Sequence, residues 1–211
     1  MKYWLDTKFI EDGKTIDLIS IGLVCEDGRE YYAINKDCDF RKASDWVLEN
    51  VLNPIGLGRG GFYTINPSNP YCSATEKQAL ADARSKRGIM EDLLIFFAPN
   101  SISDGVRVAT RSAEEDYAEV EIWAYYSSYD WVVFCQLFGT MMDLPKGFPM
   151  YCQDIKQECD RLGNPELPKQ GKGEHNALAD ARWNKHAYDF LAGYDSWRRS
   201  NYNMRQQHEL T

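Results

Sequence analysis

The chain has 211 residues, 44% of them apolar, and a formal net charge of −8. That length buries a sizeable core in one domain, and the mix of apolar and charged residues excludes a disordered chain. The acidic balance excludes a protein that coats nucleic acid by bulk electrostatics, and no apolar run approaches the roughly 20 residues of a membrane helix.

The elements follow in chain order. Lys2–Phe9 is apolar and aromatic around Asp6, which suits a buried strand with a carboxylate near its end. A turn at Glu11-Asp12-Gly13 leads to a β-branched stretch, Thr15–Cys25; Asp27-Gly28 then turns the chain into Glu30–Asn35. Three strands and two tight turns predict an antiparallel meander. Residues 43–52 predict a helix with Trp46, Val47, Val51 and Leu52 near its apolar side. Pro, Gly, Asn and Ser make 53–74 a loop excursion. Thr75, with Gln78 three residues on, predicts a capping box opening a helix that runs to about Phe97. Residues 100–117 suit a surface hairpin.

Val120–Tyr125 predicts the next strand, and Tyr129–Phe138 a helix carrying Asp130 at its start. Residues 153–162 predict a short helix closed by Gly163, and a polar loop leads into a last helix over about 176–194. The fold class expected is α/β: a mixed sheet, with a three-stranded meander plus parallel strands, flanked by helices. One domain spans 1–197, with 198–211 as a C-terminal tail. The N-terminus turns acidic at Asp6, too soon for a secretory leader, so a cytoplasmic location without a membrane partner is expected. Six scattered cysteines without a CxxC pair serve as small apolar side chains.

Asp6 at a strand end, Asp130 opening a helix, and His175 with Asp180 opening another are pieces of one chemistry. Hard cations take carboxylate oxygens, and two of them about 4 Å apart activate water against a phosphodiester. Five residues of helix rotate the chain by roughly 500°, leaving the two side chains about 140° apart. His175 and Asp180 therefore meet at one centre only if His175 lies on the loop before the helix. Each residue alone has a structural reading, as a turn acid or a helix-start acid favoured by the macrodipole.

The segments LDTKFIEDG (5–13), AYYSSYDWVVFCQLFG (124–139) and HNALADAR (175–182) resemble the three motifs of the DEDDh exonucleases. More narrowly, they are similar to small bacterial and phage 3′–5′ exoribonucleases related to ribonuclease T. The resemblance implies a ribonuclease H-like fold and a metal-dependent enzyme holding two Mg or Mn ions. It also implies release of nucleoside monophosphates from nucleic acid 3′ ends, with RNA favoured. Asp6, Asp130 and Asp180 would be metal ligands and His175 the general base. Phe9, with Tyr129 or Trp131 at the rim, would touch substrate. Small members of the class often pair, so a homodimer is an expectation of the resemblance alone.

One position departs. The first motif of the family is Asp-x-Glu, and here Lys8 stands at the Glu position. An ammonium donates hydrogen bonds and ligates nothing, so impaired or absent hydrolysis is expected. Three accounts of Lys8 stay open: an inactivated variant, a natural pseudo-nuclease, or an active enzyme with a relocated ligand. Rival functions are a non-catalytic module that binds nucleic-acid ends and a hydrolase of dinucleotides.

Overall fold

The computed structural model describes residues 1–98, 102–103, 106–107, 120–171 and 173–209. Strands β1 (Lys2–Glu11), β2 (Ile16–Cys25) and β3 (Glu30–Asn35) form the expected meander. Its first turn is fixed by Asp12, whose Oδ1 accepts from the backbone N–H of Lys14 and Thr15, next to Gly13 at φ 81°.

After β3 come a short helix α1 (Asp45–Val47) that widens into a π-turn over Leu48–Leu52, and a loop of 3₁₀ turns. Helix α2 (Ala74–Asp82) is followed by a two-residue strand, β4 (Ala83–Arg84), and helix α3 (Lys86–Phe97). A small hairpin pairs β5 (Ile102–Ser103) with β6 (Val106–Arg107); the rest of the expected 100–117 excursion lies outside the described residues. Then come β7 (Glu121–Ala124), α4 (Ser128–Phe138), β8 (Gln153–Asp154), α5 (Ile155–Arg161) and α6 (Ala177–Glu209).

The main sheet has the order β4-β3-β2-β1-β7-β8, antiparallel within the meander and parallel at β3–β4, β1–β7 and β7–β8. Strand periodicity sends alternate side chains of β1 to opposite faces. Tyr3 and Leu5 pack with Phe96 and Phe134, from α3 and α4; Trp4 packs with Ala181 and Leu191 from α6. A third cluster, including Ile10, Ile34, Val51 and Leu52, lies where α1 and its following turn meet β1 and β3. Each large apolar side chain so buried contributes roughly 1.5–3 kcal/mol. This mixed sheet flanked by helices is the ribonuclease H-like arrangement.

Four boundaries differ from the sequence reading. The capping box is Ser73 with Glu76, not Thr75 with Gln78. The single helix expected up to Phe97 is broken by β4, and Ser85 caps a new start. Gln153 and Asp154 form strand β8, with Asp154 capping α5 through Lys156 and Gln157. The last helix continues through the expected tail to Glu209.

Candidate active site

Strand β1 organises the site because its two edges are paired unequally. Pairing with β7 runs only from Lys2 to Trp4, so beyond Trp4 that edge of β1 needs other partners. Asp130, in the first turn of α4, supplies one: its Oδ1 accepts from Thr7 N at 2.7 Å and Thr7 Oγ1 at 2.6 Å. Asn184 of α6 supplies another, donating from Nδ2 to the Leu5 carbonyl at 2.8 Å. The turn from β7 into α4 passes through Tyr126 at φ 57°, a left-handed conformation that costs a non-glycine roughly 1–2 kcal/mol.

On the opposite face, Trp4, Asp6 and Lys8 follow each other at the two-residue period and look towards α6. Gly22 is the cross-strand partner of Asp6. A Cβ on Gly22 would stand 2.3 Å from the Ala177 carbonyl oxygen, so only glycine lets the first turn of α6 descend this close. Asn176 caps that turn, its Oδ1 accepting from Leu178 and Ala179 N–H at 3.1 Å each. Its Nδ2 donates to the Tyr32 hydroxyl at 3.4 Å, tying the cap to β3. His175 precedes it in a turn, at φ 72°, on the loop side of the helix start that the His175–Asp180 spacing requires.

This packing brings Asp6, Lys8, Asp130 and Asp180 together, each with little solvent access. Lys8 Nζ lies 2.7 Å from Asp6 Oδ2 and 2.6 Å from Asp180 Oδ2. Asp180 Oδ2 also accepts the His175 backbone N–H at 3.1 Å, and its Oδ1 accepts from the Gln170 amide. Burial works to lower the Lys8 pKa, but Asp6 and Asp180 together outweigh it and hold the ammonium charged. Burial raises Asp6 well above the usual carboxylate range, helped by Asp130 and Asp180 and opposed by Lys8. Burial pushes Asp130 up to about 6 against the pull of its Thr7 hydrogen bonds.

As it stands, this donor set does not fit a pair of divalent ions. An ammonium sits between the carboxylates of Asp6 and Asp180, and every oxygen of Asp180 is already engaged. Among the described residues, no group of three or more His, Cys, Asp or Glu side chains is arranged to hold a metal.

The remaining candidates divide. Phe9 stacks on the half-exposed Tyr129, with ring centroids 5.6 Å apart and planes at 15°. Trp131 is not at the rim: it is 8% exposed and stacked on Phe134 at 5.3 Å, inside the core. Trp46 goes the other way. Expected on an apolar helix side, it is 55% exposed and meets the His175 ring edge-to-face at 5.0 Å. Sequence reasoning also missed Thr7 and Asn184, whose roles come from contacts between distant segments, and Gln170, which reaches Asp180 from the loop before α6. Gly22, opposite Asp6 in a strand otherwise rich in β-branched residues, was the one local signal available.

No family model matches the chain. It is 34% identical over 182 residues to a 3′–5′ exoribonuclease of Mycobacterium tuberculosis, found in strains H37Rv and CDC 1551, covering 86% of this chain and 88% of theirs. The chain belongs to this 3′–5′ exoribonuclease family. In this chain three aspartates from separate elements, Asp6, Asp130 and Asp180, come together with Lys8 among them. No helix among the described residues is long and apolar enough to cross a membrane.

Proposed function

We propose that this chain is a DEDDh-type 3′–5′ exoribonuclease scaffold that takes the 3′ end of RNA at Asp6, Asp130, Asp180 and His175, and in which Lys8 blocks hydrolysis. The observation that carries this reading is the Lys8 ammonium, held at salt-bridge distance by Asp6 and Asp180 together. A cation there neutralises the same two carboxylates that a divalent ion would need. With Glu in place of Lys8, four carboxylates would face one another, the hard oxygen set that Mg or Mn takes. His175, in the turn above Asp180, is the group available to accept a proton from an attacking water. The stacked Phe9 and Tyr129 offer a sequence-tolerant platform for a terminal base. Assignment of RNA as substrate rests on the name of the relatives.

The test compares the parent with Lys8→Glu on labelled RNA, DNA and a dinucleotide, in Mn. Loss of a group that only orients a metal ligand costs about 10–100-fold, so a restored ligand is expected to raise monophosphate release from RNA by about 100-fold or more. No gain with Lys8→Glu would remove Lys8 as the block. Turnover of the dinucleotide with longer strands untouched would reassign the substrate.

A further inference from the structure

The Lys8 ammonium has three N–H donors, and Asp6 and Asp180 account for two of them. The third is unclaimed among the described residues. Asp6 engages Lys8 through Oδ2, and among the described residues its Oδ1 takes no hydrogen bond. The Lys8 and Asp6 side chains keep 16% and 15% of their surface, so this donor and this acceptor, adjacent on β1, are both within reach of a ligand. The surrounding charge selects the ligand. Three carboxyl groups surround one ammonium, so the centre presents mainly oxygen acceptors, which oppose a phosphate group but welcome the donor of a neutral hydroxyl.

We propose that Lys8 and Asp6 hold the free 2′- and 3′-hydroxyls of a terminal ribose without any divalent ion, so that the chain retains an RNA 3′ end it does not cut. One hydroxyl accepts the third N–H of Lys8, and the other donates to Asp6 Oδ1. The base stacks beside them at Phe9 and Tyr129. This inference rests on the reading that the cleft takes an RNA 3′ end, and adds that the replacement of a ligand by an internal cation converts cutting into holding. It discriminates by end chemistry: a 3′-hydroxyl ribonucleotide binds, and a 3′-phosphate or a 2′-deoxy terminus binds poorly.

The experiment measures binding of 5′-labelled short RNAs to the full chain by fluorescence anisotropy in chelator. The RNAs end in a 3′-hydroxyl, a 3′-phosphate or a 2′-deoxynucleotide. The expected result is a Kd for the 3′-hydroxyl RNA that changes less than twofold on adding Mn, and at least tenfold weaker binding of the other two ends. This comparison needs no variant. Lys8→Met and Lys8→Glu are each expected to lose at least tenfold in chelator. Equal binding of the 3′-phosphate RNA, dependence of the parent on Mn, or undiminished binding by folded Lys8→Met would overturn the proposal. If Lys8→Glu never hydrolyses RNA while the parent binds as described, the catalytic reading falls and this one stands. If neither protein binds the 3′-hydroxyl RNA, both fall.

Discussion

Gly22→Ala tests the packing that builds the site. The added Cβ would lie 2.3 Å from the Ala177 oxygen and 2.4 Å from both Ala177 C and Leu178 N, where ordinary contacts are 3.4–4 Å. All three atoms are backbone, so no rotamer change relieves the clash, and the first turn of α6 must retreat by about 1 Å or more. Overpacking of this kind costs about 1–3 kcal/mol. For a chain of this length that lowers Tm by about 2–12 °C, at 2–4 °C per kcal/mol. The same retreat stretches the 2.6 Å Lys8–Asp180 contact beyond hydrogen-bond range. In the Lys8→Glu background, a 1 Å misplacement is expected to cost on the order of 100-fold in hydrolysis. Chemical denaturation gives the stability change, and amide exchange at the start of α6 locates it. A Gly22→Ala protein within 0.5 kcal/mol of the parent, with unchanged protection there, would refute the argument.

Asn184→Ala leaves the Leu5 carbonyl buried without its donor and is expected to cost about 1–3 kcal/mol by urea denaturation. Lys8→Met removes the partner of two carboxylates; because the pair keeps some solvent, about 2–4 kcal/mol is expected at pH 7, below the 3–5 of a fully buried pair. Asp130 is raised from 3.8 to about 6 in the folded state, so the folded protein binds the extra proton between those values and the parent loses stability as pH rises through that window. Asp130→Asn, which keeps an oxygen acceptor for Thr7, is therefore expected to gain on the parent by on the order of 2–3 kcal/mol between pH 4 and 6.5, with no further gain above. Denaturation curves across pH check this, and a difference independent of pH would contradict it. Tyr129→Ala is expected to weaken RNA binding by about 1–3 kcal/mol with little change in Tm, whereas Trp131→Ala costs about 3–5 kcal/mol of stability.

The meander was legible because β-branched runs and Asp-Gly turns coincide, and α4 because Trp131, Phe134 and Phe138 recur at helical spacing. Strands β4 and β8 were not, since two residues carry no alternation; they exist because β3 and β7 offer them an edge. Residues 198–209 lack an apolar stripe, which reads as a tail, yet the helix begun at Ala177 simply continues through them. In the site, the aspartates and His175 were legible only as a set, with the histidine correctly placed on the loop by helix geometry. Gln170 and Trp46 carried no signal. A tryptophan at an apolar spacing becomes a site neighbour only when segments more than 100 residues apart meet, and a glutamine in a polar loop only when that loop folds back onto the start of α6. Lys8 was the clearest departure in the sequence, but its bond to Asp180 needed the three-dimensional arrangement.

The claim that an ammonium occupies the place of a metal is tested most directly by calorimetric titration of Mn into the metal-free parent and into Lys8→Glu, without nucleic acid. No saturable binding at this site is expected in the parent, and in Lys8→Glu Mn is expected to bind and to raise the Tm. Equal Mn affinity in the two proteins would contradict the claim.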